Sequence, residues 1–163
     1  MDVTIIKGSS EDRISIVRDD GSRAETNFAK KGPFPHDAVH YAVEKHLALG
    51  NGFWGMVARG HDPAEIAEIA KAAGHASAKR AELPEPHIVE LLQAERIVEC
   101  FEADMWGGPA PDDMLLETIA VACDYSHVPV PPMVGSAVSA IRSDLAALGA
   151  QWADGRITFR WDY

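Results

Sequence analysis

Two histidines four residues apart are the clearest candidates for chemistry in the sequence. His36 and His40 belong to the stretch His36-Asp37-Ala38-Val39-His40, whose apolar spacing predicts a helix. Side chains at positions i and i+4 project from the same face of a helix, so both imidazoles can reach one cation. We therefore predict that His36 and His40 are metal ligands, with zinc as the candidate ion.

The same five residues resemble the zincin motif, in which a glutamate follows the first of two histidines on a helix. Asp37 stands at the glutamate position. The resemblance implies that Asp37 is the catalytic base if the protein is a metal-dependent hydrolase. Aspartate is one methylene shorter than glutamate and would reach a metal-bound water less well, so ligation could survive where hydrolysis did not.

A metal site of this kind needs a third protein ligand. Glu44 is two helical turns from His36, about 12 Å along the helix axis, which is too far for one site. A second long helix is predicted from about residue 86 to residue 105. His87 and Glu90 on that helix are the candidates for the third ligand.

A structural alternative explains the same residues without a metal. In this interpretation His36 caps the start of its helix, His40 forms a hydrogen bond at the edge of the core, and His46 is a partnered core histidine. Glu95 falls near the inward stripe of the long helix, where it would pair with a buried arginine or face a cavity. The other glutamates of that helix are expected on a solvated face: Glu90, Glu99 and Glu102.

The stretch Gly50-Asn51-Gly52-Phe53-Trp54-Gly55 matches the glycine fingerprint of dinucleotide-binding proteins. That fingerprint requires a strand before it, whereas a helical pattern precedes it here. We therefore expect the glycines to end one helix and to let Phe53 and Trp54 tuck under it.

Composition restricts the partners of the protein. The formal net charge of the 163 residues is −10, which repels polyanions, and no basic face is visible, so we expect no nucleic-acid partner. No segment reads as a signal peptide or as a membrane span, so no membrane partner is expected. Cys100 and Cys123 lie in apolar helical patterns and are predicted to be buried reduced thiols, which indicates a cytoplasmic protein.

The chain is predicted to form one α+β domain over residues 1–163. Extended patterns at residues 3–7, 13–18 and 23–28 predict an antiparallel meander, with a hairpin at Asp20-Gly21. A terminal strand ending near Trp161 needs a partner for its backbone, and the meander is the obvious one. About five helices are expected to pack on this small antiparallel sheet.

The chain also resembles small uncharacterised bacterial proteins that share the helix start Pro35-His36-Asp37 and the turn Gly52-Phe53-Trp54-Gly55. The resemblance implies a bacterial cytoplasmic domain and no particular activity.

Function stays open between three classes. The leading one is a structural or interaction protein without catalysis, as a homodimer whose terminal strand and tryptophans form the contact surface. The second is the divalent-metal protein on His36 and His40. The third is a small-molecule binder with a pocket between Phe53-Trp54 and the edge of the His36 helix.

Overall fold

Three strands at the start of the chain form an antiparallel meander in the computed structural model, which describes residues 1–72, 84–132 and 134–162. They are β1 (Asp2–Ile6), β2 (Glu11–Val17) and β3 (Arg23–Ala29). Burial alternates along β1 and β2, as expected for strands with one face on the core. The predicted meander and the turn at Asp20-Gly21 are confirmed.

The last strand, β4 (Arg156–Arg160), pairs antiparallel with β1 and completes a sheet of order β3-β2-β1-β4. Ile157 lies opposite Ile5 in this register, and both side chains are fully buried. The Met1 amino group donates a hydrogen bond to the Trp161 carbonyl at 2.9 Å. The predicted sheet built from both ends of the chain is therefore confirmed.

Six α-helices lie between β3 and β4 in the described part of the chain, where about five were expected. They are α1 (His36–Leu47), α2 (Phe53–Ala58), α3 (Pro63–Ala70), α4 (Val89–Gly107), α5 (Asp112–Tyr125) and α6 (Val134–Ala153), and a 3₁₀ turn (Pro86–Ile88) leads into α4. Asp62 caps α3 by accepting from the N–H groups of Ala64 and Glu65, as its sequence predicts. The fold class is α+β.

Helix α1 is the central element of the molecule. It packs against both α4 and α6, and its Tyr41 ring stacks on Phe159 of β4 with centroids 4.0 Å apart. Apolar side chains on this helix are almost completely buried, Val39 and Val43 among them. Because neighbours surround α1 on several sides, the side chains that it carries are held in fixed positions.

The tryptophans of the C-terminal region do not form a contact surface. Trp152 and Trp161 are buried, and the Trp152 indole donates to the Pro33 carbonyl at 2.9 Å. The predicted interface patch is wrong for these residues, because the protein's own core takes up their apolar surface. Trp106, by contrast, is 50% exposed. The homodimer itself stays a prediction.

Two further sequence expectations concern thiols and membranes. Cys100 and Cys123 are free and buried, and burial raises the pKa of each thiol to about 11. Among the described helices, none is both long enough and apolar enough to cross a bilayer.

The contribution of β4 to the core can be measured. Ile157→Ala removes a fully buried side chain and should lower the free energy of unfolding by about 2–5 kcal/mol, because it leaves a cavity against β1. Thr158→Ala, on the exposed side of the same strand, is the matched control and should change it by less than about 0.5 kcal/mol. Equal effects in urea denaturation would contradict the register described above.

Candidate metal centre

Helices α1 and α4 bring five ionisable side chains together in the interior. His36, His40 and Glu44 come from α1, whereas Glu95 and Glu102 come from α4, two turns apart on one face. None of the five side chains is more than 11% exposed. Ionisable groups are buried at such density only where they satisfy one another or bind an ion.

The two imidazoles face each other across the centre of this cluster. The Nε2 atoms of His36 and His40 are 3.2 Å apart. The carboxylate of Glu95 faces both nitrogens, with Oε2 3.6 Å from His36 Nε2 and Oε1 3.6 Å from His40 Nε2. His36, His40 and Glu95 can each offer one ligand atom, and these three atoms lie within 4.8 Å of one another.

A second pair of carboxylates holds the imidazoles from behind. Glu102 Oε1 lies 2.9 Å from His36 Nδ1, and Glu44 Oε1 lies 2.9 Å from His40 Nδ1. A carboxylate accepts from an Nδ1–H, so these contacts assign the ring proton to Nδ1. Both rings then direct the lone pair of Nε2 towards Glu95, which is the ligand form of histidine.

Glu44 is itself fixed by the start of α2. Its Oε1 accepts from the Phe53 N–H and its Oε2 from the Trp54 N–H, each at 2.9 Å. A Cβ on Gly52 would lie 2.5 Å from the Glu44 carboxyl carbon, and one on Gly55 would lie 2.0 Å from the Gly50 carbonyl oxygen. The glycines therefore allow a tight turn around a carboxylate of the protein itself. That carboxylate occupies the helix N-terminus that a nucleotide phosphate would need.

The carboxylates strongly perturb the titration of the histidines. Burial disfavours the imidazolium of His40, but hydrogen bonds to Glu44 and Glu95 outweigh it and raise the pKa of His40 to about 10. Burial likewise opposes protonation of His36, while Glu102 and Glu95 raise its pKa. Burial acts to raise the pKa of Glu95, yet its contacts with the two histidines hold that pKa well below its usual range.

Carboxyl groups outnumber imidazoles in the cluster. Glu44, Glu95 and Glu102 surround His36 and His40, whose Nε2 atoms lie 3.2 Å apart. Burial raises the pKa of Glu44, against the lowering effect of His40. A cation at the centre would offset the charge of the ionised carboxylates.

Asp37 lies beside the cluster. It lines the same cavity as the histidines, and burial raises the pKa of its carboxyl group, opposed by the charges of His36, His40 and Lys31. The backbone carbonyl of Asp37 accepts from the Trp54 indole at 2.8 Å. Asp37 is absent from the group of ligand atoms that could share an ion. Its predicted catalytic role stays a prediction.

A cavity of about 400 Å³ opens in front of the imidazoles. Three phenylalanines line its apolar part, and charged residues line its polar part and its mouth. This cavity lies where a pocket was expected, between the Phe53 segment and the edge of α1, except that Trp54 is fully buried and does not line it. Binding of a small molecule stays a prediction.

The residue that joins His36 and His40 in the candidate metal site is neither His87 nor Glu90, the two that the sequence suggested. Glu90 accepts from the Asn51 N–H at 2.6 Å, and His87 is an exposed side chain 3.3 Å from Glu85. Glu95 takes the position instead. Glu102, expected on a solvated face, is buried against His36. Helical spacing in the sequence places both glutamates on the inward face of α4, although it does not identify what they contact; this stripe is Leu91, Glu95, Val98, Glu102 and Met105.

The structural roles predicted for the histidines need correction. Pro35 is the N-cap of α1 and no side chain caps this helix, so the expected capping by His36 is wrong. His40 does form the expected hydrogen bond, to Glu44. His46 is partnered with Asp144 at 2.9 Å, but its side chain is 23% exposed and lies at the edge of the core.

Comparison with family models, with curated proteins and with solved structures gives no match.

Because the chain turns tightly around Glu44, alanine substitutions at Gly52 and at Gly50 should differ in their effect on stability. Gly52→Ala places a methyl group against the Glu44 carboxylate and should lower the free energy of unfolding by about 1–3 kcal/mol. Gly50→Ala is the matched control, because no atom lies within 4 Å of the added methyl group, and it should be neutral or slightly stabilising. If both variants unfolded at the same urea concentration as the parent protein, the described anchoring of Glu44 would be incorrect.

Proposed function

We propose that the protein binds one divalent transition-metal ion through His36 Nε2, His40 Nε2 and the Glu95 carboxylate. The observation that carries this proposal is the orientation of the two rings. Each Nδ1 contacts a buried carboxylate at 2.9 Å, while the two Nε2 atoms converge at 3.2 Å in front of a third carboxylate.

The distances support a single shared ion. Two nitrogens 3.2 Å apart, each about 2.0–2.1 Å from one zinc ion, would subtend an angle slightly smaller than tetrahedral. Each Glu95 oxygen lies 3.6 Å from one of the nitrogens, Oε2 from His36 and Oε1 from His40, and a separation of that size is compatible with a common ion at ordinary bond lengths. Small rotations of side chains would therefore suffice to complete the ligand triangle.

The donor types favour zinc and leave other ions open to test. Two imidazoles and one carboxylate form the ligand set of several catalytic zinc sites and also of non-haem iron(II) sites. Calcium and magnesium are disfavoured, because they take oxygen ligands. Glu44 and Glu102 would act as outer carboxylates that orient the histidines and raise their basicity towards the metal.

Three protein ligands beside a cavity indicate a reactive site in preference to a structural one. Structural zinc sites have four protein ligands, whereas catalytic sites keep a position open for water or substrate. His36, His40 and Glu95 all line the cavity of about 400 Å³. We therefore propose metal-dependent chemistry on a small molecule, with hydrolysis as the specific candidate.

Asp37 supports the hydrolytic version of this proposal. Its carboxyl group lines the same cavity, and burial raises its pKa towards the range useful for proton transfer. In a hydrolase it would take the proton from the attacking water and deliver it to the leaving group. Because the Asp37 side chain is short and reaches a metal-bound water less well than glutamate would, we propose metal binding first and hydrolysis second.

An interaction role is the second candidate function. Strand β4 is at the edge of the described sheet and could pair with a second copy of the chain across a two-fold axis, if the Gln151 side chain released the Thr158 N–H that donates to it at 2.9 Å. The reduced, buried Cys100 and Cys123 favour a reducing setting such as the bacterial cytoplasm. Sedimentation over a range of protein concentrations tests the homodimer separately from the metal site.

Metal binding should be stoichiometric and should depend on the named ligands. Protein stripped with a chelator should take up one equivalent of zinc in a calorimetric titration, whereas Glu95→Gln, which keeps the side-chain volume, should lose most of the affinity. Glu102→Gln should weaken binding by about 10- to 100-fold, because it removes an outer carboxylate. Manganese(II), cobalt(II) and iron(II) are titrated alongside zinc.

The matched control is His87→Ala, which removes an exposed histidine outside the cluster. It should bind zinc as the parent protein does. Loss of zinc binding in all variants alike, or undiminished binding in Glu95→Gln, would contradict the assigned ligand set. Circular dichroism of each variant separates loss of a ligand from loss of the fold.

The affinity for zinc should rise with pH. The raised pKa of His40, about 10, means that a proton occupies the cluster at neutral pH and must leave when the metal binds. Each displaced proton makes the apparent affinity increase by up to about tenfold per pH unit below that pKa. Titrations in buffers of different ionisation enthalpy measure the proton release directly. An affinity that does not change between weakly acidic and weakly basic pH would contradict displacement of a proton.

A further inference from the structure

The cavity in front of the histidines is larger than a metal ion and its waters require. Its volume of about 400 Å³ lies in the range of small-molecule sites, whereas one water occupies about 30 Å³ of liquid. Besides His36, His40 and Glu95, the lining comes from the end of β3, the start of α1, Phe53 of α2, and Ala67, Glu68 and Lys71 in the region of α3. Its lining therefore describes what kind of molecule could approach the metal.

One wall of the cavity is aromatic and begins at a proposed metal ligand. The Phe53 ring lies 5.9 Å from the His40 ring and 6.3 Å from the Phe28 ring, measured between centroids. Phe34 lines the same cavity. Phe34 and Phe53 are buried in the protein, and Phe28 is partly exposed. Aromatic side chains of this kind suit a flat or hydrocarbon group.

Three lysines stand at the mouth of the cavity, and they differ in their partners. Lys30 donates to the Gly8 carbonyl at 2.7 Å, and Lys71 lies 3.6 Å from Glu68. Lys31 lines the same mouth, and within the described residues no hydrogen bond or ion pair engages it. Its charge reaches into the cavity as far as the Asp37 carboxyl group.

We propose that the cavity binds a small organic anion, whose apolar body lies on Phe28, Phe34 and Phe53 and whose anionic group pairs with Lys31. The polar end opposite this group would face the His36, His40 and Glu95 site, and to that extent the inference rests on the proposed function. A site selective for an anion is unexpected from composition, because the whole chain carries a net charge of −10 and repels anions. Lys31 would oppose that repulsion locally, against the four carboxyl groups that also line the cavity: Asp12, Asp37, Glu68 and Glu95.

Three probes of the same size and different charge test the inference: phenylacetate, phenylacetamide and phenethylamine. Their affinities are measured by NMR titration of the zinc-loaded and the metal-free protein. Phenylacetate should bind more tightly than the neutral amide, and the amine should bind most weakly. Lys31→Gln should weaken phenylacetate binding by about three- to fivefold, the usual range for an exposed ion pair, and should leave the amide unchanged.

Two control variants separate the effect of the Lys31 charge on probe affinity from the effect of the aromatic side chains. Phe28→Ala should weaken all three probes by a similar factor, because it removes apolar wall without changing charge. Lys7→Gln removes a lysine that lies over Trp152 and outside the cavity lining, and it should leave all three affinities unchanged.

The outcomes distinguish failure of this inference from failure of the metal site. If zinc does not bind, the phenylacetate preference and its dependence on Lys31 remain measurable in the metal-free protein. A preference for phenylacetate that requires zinc and survives in Lys31→Gln would overturn the inference, because the anionic group would then bind the metal. Equal affinities for the three probes, or no saturable binding of any of them at millimolar concentration, would overturn it as well.

Discussion

The buried carboxylate of Glu44 is the interaction on which the rest of the cluster depends. It accepts the first two N–H groups of α2 and contacts His40 Nδ1, and its side chain is fully buried. A helix N-terminus stabilises negative charge, so α2 provides a site for an anion that would otherwise be costly to bury. The orientation of His40 follows from the position of Glu44, and that position follows from the short loop between α1 and α2.

The contacts between histidines and glutamates in the cluster depend on how α1 packs against α4. Helix α1 presents His36 and His40, and α4 presents Glu95 and Glu102 on the facing side. A shift of α4 by one turn, about 5.4 Å, would separate both glutamates from their histidines. The buried polar contacts therefore specify one register of the two helices, which apolar packing alone constrains less strictly.

Sequence patterns gave the elements of the fold more reliably than the contacts of the site. Alternation and turn residues predict the meander and β4, and helical spacing predicts α1, because these signals are local. The pairing of His36 and His40 is local too, since both lie on one helix. The identity of the third residue depends on how α4 lies against α1, which no local pattern encodes. The sequence predicts that Glu95 pairs with an arginine or faces a cavity and that Glu102 is solvated, so it predicts no contact of either with the histidines.

The buried cluster sets strict conditions on how its polar groups can be matched. Burying charged groups costs more than burying apolar side chains of similar size, and a polar network repays that cost only when every donor and acceptor is matched. His36 and His40 are matched at Nδ1 by Glu102 and Glu44, and their Nε2 atoms lie 3.2 Å apart. The carboxylate of Glu95 faces both Nε2 atoms at 3.6 Å. A divalent cation would accept a lone pair from each of these groups at once and would also reduce the buried negative charge, which a proton does less completely. The same cation would face a cavity that is lined by aromatic side chains and by Lys31. The ligand residues would therefore hold the cation where a small molecule could reach it.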